Sequence, residues 1–300
     1  MTTPTPTKKK VALVLSSGGC RGYAHIGAIE ALLEHGYEIT SVAGCSMGAL
    51  IGGIYAAGRL SDVKEWFCTL NRRDIFSLID LSLGINHLVK GDRIMKRLQE
   101  IVPDVRIEEL PIPFCAVATD VRTDSEVVFR SGSLFEAIRA SCSMPTLFQP
   151  VEREEQYLID GAISNGLPLE LVARTEGDIL VASNVSAPAR KVRRKVLAPS
   201  RLTSIMNRII RPDFADVNAI SLISDALHIL IQKNISQQLR ITPPDLLMEL
   251  PLNSYNFNYD RCAIIAERGH RLMLRTIERY ESAVGASSTS CKSQSINEHE

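Results

Sequence analysis

The sequence predicts an α/β fold, with a central, mostly parallel sheet that is flanked by helices. Three observations indicate it. A short apolar run at residues 11–15 leads into a glycine-rich turn, a second run at residues 39–43 leads into Gly44-Cys45-Ser46-Met47-Gly48, and a helical pattern follows each turn. Strands that alternate with helices pair in parallel, because each helix carries the chain back across the sheet.

Composition narrows the class of protein. The 300 residues are 45% hydrophobic and 23% charged with a formal net charge of zero, which is typical of a globular enzyme. Zero charge and an aromatic content of 5% argue against a nucleic-acid partner. Seven cysteines without a C-x-x-C pair indicate neither a zinc site nor a disulfide framework, and fit a cytoplasmic protein. No apolar run approaches the roughly 18 residues of a membrane span.

The first half of the chain reads as a leader, two strands and several helices. Residues 1–9 are a predicted disordered leader. The first helix spans residues 23–35, where apolar residues recur every three or four positions until Gly36. The helix after the second strand, residues 47–58, is rich in glycine and alanine and must pack closely on the sheet. Residues 61–110 are predicted to be helical, with Ser61 as an N-cap and Pro103 ending a helix.

The second half supplies more strands and then a helical part. Residues 114–119 and 126–130 are predicted to form a hairpin, and a capping-box pattern, Ser133-x-x-Glu136, opens a helix to residue 141. A strand at residues 157–159 carries Asp160 to its end, and another follows at 178–182. Helices are then predicted at 217–239, before Pro243-Pro244, and at 261–281. We expect one domain over residues 10–282, with a catalytic core at about 10–185, a helical extension or possible lid at about 186–282, and a disordered tail at 283–300.

The pattern Gly-x-Ser-x-Gly at residues 44–48, called the elbow below, is the first candidate for chemistry. A sharp strand-to-helix turn needs glycines beside the serine, and it lifts the hydroxyl to a helix N-terminus. On this pattern alone, a plain tight turn before a buried helix is equally favoured. A nucleophilic serine also needs a base and a site for the oxyanion.

Residues 17–22, called the glycine loop below, are the candidate for that oxyanion site. The loop leaves the first strand and enters the first helix, so its N–H groups can converge on one concave site. Phosphate binding is the alternative, because such loops also bind phosphates. The absence of Gly-x-Gly-x-x-Gly and of Gly-Lys-Ser/Thr disfavours a nucleotide. In a parallel sheet the loop and the elbow lie at one edge, which suits acyl transfer.

The residue that would act as general base for Ser46 decides between the possible mechanisms. The histidines that follow the elbow lie in patterns that do not read as strand-to-loop turns, so none is a good candidate: His87, His228, His270 and His299. Asp160 does stand at such a turn, after Leu158-Ile159 and before Gly161.

Taken together, these motifs resemble the patatin-like phospholipase family, in its small bacterial form related to the catalytic domain of neuropathy target esterase. The family pattern is a Gly-Gly-Gly-x-Arg-Gly loop, a Gly-x-Ser-x-Gly elbow and a later Asp-Gly-Gly/Ala. The chain has Ser17-Gly18-Gly19-Cys20-Arg21-Gly22, the elbow, and Asp160-Gly161-Ala162, with further likeness at 118–120, 137–141 and 145–150. The likeness spans about residues 10–185 and is weaker to about 280.

The resemblance implies a three-layer patatin-like fold and a Ser–Asp dyad that needs no histidine, metal or cofactor. Ser46 would be the nucleophile and Asp160 the general base, with a pKa raised by burial. The oxyanion would be held by Gly18, Gly19 and Cys20, with Arg21 and Gly22 supporting the loop and Gly44 and Gly48 forming the elbow. Asp120 and Arg139 would be structural supports.

Two departures from the family pattern bear on the site. Ser17 replaces the first glycine of the triplet, which puts the backbone angles of the loop in question. Cys45 directly precedes the nucleophile, but its side chain is expected to point away from the apex of the elbow.

The function expected from the sequence is hydrolysis of fatty acyl esters of phospholipids or lysophospholipids. A thioesterase or acyltransferase on the same site, or a regulatory protein with a weak site, are the alternatives. The basic run at 190–195, with five cations in six residues, indicates either a solvated loop or peripheral contact with an anionic membrane surface. The sequence leaves the head group, acyl length and oligomeric state open.

Overall fold

The computed structural model describes residues 9–78, 91–145, 147–189, 219–255 and 258–294. Its strands are β1 (Lys9–Leu15), β2 (Tyr37–Cys45), β3 (Phe114–Asp120), β4 (Ser125–Phe129), β5 (Val151–Arg153), β6 (Gln156–Asp160), β7 (Ile179–Ala187) and β8 (Leu246–Pro251). Its α-helices are α1 (Tyr23–Glu34), α2 (Met47–Ala56), α3 (Leu60–Thr69), α4 (Arg72–Leu78), α5 (Asp92–Ile101), α6 (Leu134–Ser141), α7 (Ala162–Asn165), α8 (Ala219–Ile241) and α9 (Cys262–Gln294). No helix in these ranges is long and apolar enough to span a bilayer.

The strands form one mixed sheet with the order β5-β6-β3-β2-β1-β7-β8, and β4 is attached to β3. The five strands β3, β2, β1, β7 and β8 run parallel, whereas β4, β5 and β6 join by antiparallel pairing. The parallel part places the ends of β1 and β2, and with them the glycine loop and the elbow, at the same edge of the sheet.

Two hydrophobic cores cover the two faces of this sheet. Along β1, Val11, Leu13 and Leu15 pack against a core that contains side chains of α1, α2 and α9. The alternate residues Ala12 and Val14 face a second core, which includes side chains of α7 and α8. Successive side chains of a strand point to opposite faces, so a fully apolar strand is buried between two helical layers. The predicted three-layer α/β fold is confirmed.

The pairing of β3 brings the serine and the aspartate together. One edge of β3 is occupied by β4 along residues 116–120. Its other edge is shared: β2 pairs with it as far as Cys45 opposite Val117, and β6 takes over with Asp160 opposite Ala118. Ser46 follows Cys45 directly, so the sheet itself places Ser46 beside Asp160.

Most predicted elements are present, with shifted ends, but some expectations were wrong. Ser61 is not an N-cap, because α3 begins at Leu60 with Arg59 in the cap position. Gly58, with φ of +70°, follows the end of α2 and turns the chain into α3, whose cap lies two residues earlier than predicted. The helical character predicted for residues 61–110 is present in the described residues as α3, α4 and α5, and α5 ends at Ile101, just before Pro103.

The C-terminal part differs more from the prediction. The strand β8 was not predicted, although the alternation of its buried residues Leu246, Met248 and Leu250 is a strand pattern. The last helix continues to Gln294, so residues 283–294 are helical where the sequence suggested a disordered tail. The predicted leader (apart from Lys9), the basic run at 190–195 and residues 295–300 lie outside the described residues.

Candidate active site

The elbow is a strained turn between β2 and α2, with Ser46 at its apex. Ser46 has φ of 55° and ψ of −124°, in the left-handed half of backbone space that L-residues rarely adopt. A Cβ on Gly44 would lie 2.4 Å from the carbonyl oxygen of Gly48, and one on Gly48 would lie 2.2 Å from that of Leu15. Both flanking residues must therefore be glycine, and the strain is typical of a functional residue.

Ser46 and Asp160 form a direct hydrogen bond. The Ser46 hydroxyl donates to Oδ2 of Asp160 at 2.6 Å, and the other carboxylate oxygen, Oδ1, accepts the backbone N–H of Ala162 at 2.8 Å. Asp160 is fully buried, whereas Ser46 keeps 8% of its surface exposed. A serine that is accessible from outside and bonded to a buried carboxylate has the geometry of a nucleophile with its base.

Burial sets the protonation of Asp160. Loss of solvation raises the pKa of this carboxyl to about 6, and the hydrogen bonds from Ser46 and Ala162 oppose the rise only in part. A carboxylate with this pKa is largely ionised at neutral pH and binds a proton more strongly than an ordinary aspartate. It is therefore suited to accept the serine proton.

Hydrogen bonds to neighbouring residues hold Ser46 and Asp160 in position. The hydroxyl of Ser141 accepts the backbone N–H of Ser46 at 2.8 Å, and the carbonyl of Ser143 accepts that of Asp160 at 3.0 Å. Arg139 in turn donates to the hydroxyl of Ser143 at 2.6 Å and to the carbonyl of Gln149 at 2.9 Å. The sequence predicted Arg139 as a support. It did not predict the role of Ser141, which only the fold brings to the elbow.

The glycine loop presents donors to the same site. In the described part of the chain, the backbone N–H groups of Gly18 and Gly19 donate to no protein acceptor. Gly19 has φ of +54°, and a Cβ on Gly18 would lie 2.3 Å from Cγ2 of Val185. These two positions require glycine, and their N–H groups remain available for a ligand.

Ser17 does not disturb this loop. The non-glycine residues with positive φ in the described ranges are Ser46, Asp124 and Glu154, so Ser17 has a normal backbone conformation. Its N–H donates to the carbonyl of Gly166 at 2.9 Å, and its carbonyl accepts the hydroxyl of Ser186 at 2.7 Å. A serine therefore fits where the family pattern has glycine.

Arg21 and Gly22 support the loop from two sides. The guanidinium of Arg21 donates to the carbonyls of Val185 at 2.9 Å and Tyr255 at 3.1 Å, and burial lowers its pKa. Gly22 lies against the elbow, since a Cβ there would come within 2.4 Å of Cβ of Met47. The loop and the elbow are thus in contact, as the sequence predicted.

Two thiols lie beside the dyad. Cys45 is fully buried with its Sγ 3.9 Å from Oδ1 of Asp160, and burial raises its thiol pKa well above the usual range. Burial also raises the thiol pKa of Cys142, and the nearby Ser46 opposes this rise only in part. Both remain protonated and are poor nucleophiles, because the thiolate is the reactive form. Cys142 was not singled out from the sequence.

The structure also contains a histidine that sequence reasoning missed. His25 is fully buried, with Nδ1 2.8 Å from the hydroxyl of Ser183 and Nε2 2.9 Å from the carbonyl oxygen of Ser16. Burial lowers its pKa to about 4, so it is neutral, and Nε2 donates to the carbonyl. It joins the ends of β1 and β7 beneath the glycine loop. Its position in the first turn of an otherwise apolar helix was the available signal.

Two of the four histidines after the elbow, His228 and His270, lie within the described residues. His228 lies within α8, and Nε2 of His270 is 2.7 Å from Glu34 at the end of α1. His87 and His299 lie outside the described residues.

Asp120, predicted as a support, braces the hairpin beyond β3. Its carboxylate accepts the N–H groups of Tyr157 at 3.0 Å and Arg122 at 3.1 Å, and the hydroxyl of Thr123 at 2.8 Å. These hydrogen bonds lower the pKa of Asp120, and the bond from Tyr157 has the largest effect.

The order of the motifs and the fold can be compared with known proteins. The family model of the patatin-like phospholipases matches residues 13–173, more than half of the chain. The chain belongs to the patatin-like phospholipase family. The matched segment holds the glycine loop, the elbow and Asp160, and it ends before β7.

Its relatives are proteins named after neuropathy target esterase. An uncharacterised protein of that family from Mycobacterium tuberculosis (strain ATCC 25618 / H37Rv) is 41% identical over 216 residues, 70% of this chain and 59% of that protein. Neuropathy target esterase of Drosophila melanogaster is 30% identical over 190 residues, 60% of this chain and 13% of that protein. The chain therefore spans only part of the length of these curated relatives.

The solved structure of VipD from Legionella pneumophila is similar in fold. It aligns with a TM-score of 0.56 at 15% identity, covering 92% of this chain and 68% of that chain. At this identity the likeness speaks for the fold alone.

Proposed function

We propose that this patatin-like protein is a serine acyl hydrolase that cleaves fatty acyl esters of phospholipids or lysophospholipids. The observation that carries the proposal is the 2.6 Å hydrogen bond from the Ser46 hydroxyl to the buried carboxylate of Asp160. Membership of the phospholipase family and likeness to neuropathy target esterase support lipid esters as the substrate class.

Acylation begins with Ser46. As its oxygen attacks the ester carbonyl, its proton passes to Asp160, and the carbonyl oxygen becomes an oxyanion. The free N–H groups of Gly18 and Gly19 are positioned to bind that oxygen, and Cys20 stays a proposed third member of the loop. The N-terminus of α2, directly after Ser46, adds a favourable dipole.

The intermediate then collapses. The bond between the carbonyl carbon and the alcohol oxygen breaks, the leaving alcohol takes the proton from Asp160, and the acyl group remains on Ser46. Water attacks this acyl-enzyme while Asp160 accepts its proton, and collapse returns that proton to the Ser46 oxygen and releases the fatty acid. One water is consumed and the enzyme is restored.

Release of fatty acid from short-chain esters and from lysophospholipid tests the proposal, with the wild type, Ser46→Ala and Asp160→Asn assayed with and without a chelator. We expect activity in the wild type only, unchanged by the chelator. The Ser46→Ala loss should be about 10⁴-fold or more. Folding of each variant is checked by its thermal unfolding transition.

If neither the wild type nor the two variants released fatty acid while all three were folded, the proposal would be contradicted. That result would favour the regulatory alternative or a substrate outside the ester panel. Faster hydrolysis of acyl thioesters than of oxygen esters would favour the thioesterase alternative.

We further propose that the protein contacts an anionic lipid surface to reach its substrate. The basic run at 190–195 lies outside the described residues and precedes α8 in the sequence, and the apolar side chains of Ile223, Ile229 and Leu230 in α8 are 49%, 55% and 60% exposed. A chain that combines a basic segment with exposed apolar side chains is suited to an anionic interface. Sedimentation with vesicles of neutral or anionic lipid tests this, and equal binding to both would contradict it.

A further inference from the structure

A segment far along the chain lies against the glycine loop. The carbonyl of Tyr255 accepts Nη1 of Arg21 at 3.1 Å, and the thiol of Cys20 lies 3.9 Å from the same oxygen. A Cβ placed on Gly19 would lie 3.4 Å from the hydroxyl oxygen of Tyr259. Tyr255 and Tyr259 are outside the segment that the family model matches, so the family motifs do not account for their presence at the site.

The ring of Tyr259 is held by aromatic packing. It lies edge-on to Tyr23, the first residue of α1, with ring centroids 6.4 Å apart, and Tyr23 packs in turn on Phe67 at 5.0 Å. Because Tyr23 directly follows the glycine loop, this contact fixes the phenol relative to the loop. The side chain of Tyr259 is half-buried, so substrate can reach it.

The hydroxyl of Tyr259 has no hydrogen-bond partner among the described residues. Packing against Tyr23 requires only the ring, which phenylalanine would supply equally. The hydroxyl is not among the fully buried side-chain atoms of the described residues that lack a partner, so a ligand or solvent can take its hydrogen bond. Cys20, Cys142 and Asp160, which act electrostatically on this phenol and raise its pKa, are residues at the candidate active site.

The phenol keeps its proton under all working conditions. Burial first, and then the nearby Cys20 and Cys142, raise the pKa of Tyr259 well above its usual range, and Arg21 opposes this only in part. The hydroxyl therefore acts as a hydrogen-bond donor, and donors are what an oxyanion requires.

We propose that Tyr259 is a catalytic residue, whose hydroxyl donates a hydrogen bond to the substrate carbonyl oxygen as that oxygen becomes an oxyanion. An oxygen bound to the N–H of Gly19 would lie within reach of this hydroxyl, given the 3.4 Å approach to the Cβ position of Gly19. This inference rests on the proposed acyl hydrolase function. It assigns to the C-terminal part of the chain a donor that the family's loop does not contain.

The test compares Tyr259→Phe with wild type, using a chromogenic short-chain ester for kcat and KM and a fluorophosphonate for the rate of covalent labelling. The phosphonate oxygen occupies the oxyanion position, so both rates depend on its donors. Tyr259→Phe should lower kcat and the labelling rate by about 10- to 100-fold, with little change in KM, since a donor used only in the transition state affects kcat. Tyr280→Phe, a tyrosine in α9 outside the site, is the matched control and should stay within about twofold of wild type.

A second measurement covers the case in which Tyr259→Phe does not fold. Difluorotyrosine at position 259 keeps the shape of the side chain but makes the hydroxyl more acidic. As the phenol then ionises at lower pH, activity should fall at alkaline pH where the wild type stays active. A residue with only a packing role would not cause this change.

The outcomes separate the two proposals. If the wild type is active and Tyr259→Phe has the same kcat and labelling rate, or changes only in KM, the proposed role of Tyr259 is wrong. The proposed acyl hydrolase function would stand in that case. A wild type that neither hydrolyses the ester nor reacts with the fluorophosphonate overturns the acyl hydrolase and the role of Tyr259 together.

Discussion

Two aspartates on neighbouring strands are both fully buried, yet their pKa values shift in opposite directions. Asp120 ends β3 and Asp160 ends the antiparallel strand β6, where Asp160 pairs with Ala118, two residues before Asp120. Backbone donors, Tyr157 first, lower the pKa of Asp120. Burial raises that of Asp160 to about 6.

The difference lies in how strongly each carboxylate is desolvated and in how fully the protein replaces the lost water. Loss of solvation is the leading cause of the shift at Asp160, whereas at Asp120 it ranks below the hydrogen bond from Tyr157. Asp120 accepts two backbone N–H groups and one hydroxyl, whereas Asp160 accepts one backbone N–H and the hydroxyl of Ser46 as its close donors. A buried carboxylate that is well supplied with donors is stabilised as an anion and acts as a brace. One that is poorly supplied retains affinity for a proton and can act as a base.

The largest expected effect is on activity, and it should separate the two aspartates. Asp160→Asn should lower kcat by about 10²- to 10⁴-fold, because the amide cannot accept the proton of Ser46. Asp120→Asn should keep kcat within several-fold of wild type at a temperature where it is folded. Ester hydrolysis measures both, and an equal loss of activity in the two variants would show that Asp160 has no role that Asp120 lacks.

The next effect concerns pH. Asp160 must be ionised to act as a base, so kcat/KM should rise with pH and level off above about 6. Below that value it should fall about tenfold for each pH unit. Stopped assays across pH 4 to 8, on protein shown to remain folded, measure this profile, and a flat profile through pH 6 would contradict the assignment.

A smaller effect concerns stability, and its sign follows from the raised pKa. The folded protein binds the Asp160 proton more tightly than the unfolded chain does, so ionisation of Asp160 destabilises the fold increasingly as pH rises from 3.8 to about 6. Asp160→Asn removes this charge and should be more stable than wild type at pH 8, by up to about 3 kcal/mol. At pH 4 or below the gain should vanish. Urea unfolding at both pH values tests this, and lower stability at pH 8 would contradict it.

Asp120→Asn should change stability in the opposite direction. Its lowered pKa means that the ionised carboxylate stabilises the fold above the ordinary pKa of aspartate, and that this is lost as pH falls through the lowered value. The variant should therefore unfold at a temperature several degrees lower at pH 7. Thermal unfolding monitored by circular dichroism measures the shift, and an unchanged midpoint would show that Asp120 is not a brace.

The smallest effect is expected at Cys45. Its thiol is buried and protonated, so Cys45→Ala should still react with a serine-directed phosphonate, at a rate within about threefold of wild type. Labelling lost in Cys45→Ala but retained in Ser46→Ala would identify the thiol as the nucleophile instead.

The sequence predicted the parts of the site that lie in local motifs. Local backbone geometry constrains the residue types at the elbow, in the glycine loop and at the strand end that carries Asp160. Each constraint acts within a few residues and therefore produces a pattern that can be recognised in the sequence. Burial of the apolar runs between two helical layers was readable for the same reason, since a strand covered on both faces is apolar throughout.

The parts it did not predict depend on contacts between distant segments. Ser141 reaches Ser46 across 95 positions, and Arg21 reaches Tyr255 across 234. His25 lies in an apolar helical pattern, and its contacts with Ser183 and Ser16 form only when β1 and β7 pair in the sheet. In each case a common residue type acquires its role only through tertiary packing. The spacing of residues in the sequence does not indicate such contacts.

A pH titration of the two carboxyl groups by ¹³C NMR, with each signal assigned by its loss in the corresponding asparagine variant, tests directly whether their pKa values differ. We expect Asp160 to titrate near pH 6 and Asp120 below 3.8, the ordinary value of aspartate. An Asp160 that titrates at or below 3.8 would contradict the claim that burial prepares this carboxylate to act as the base for Ser46.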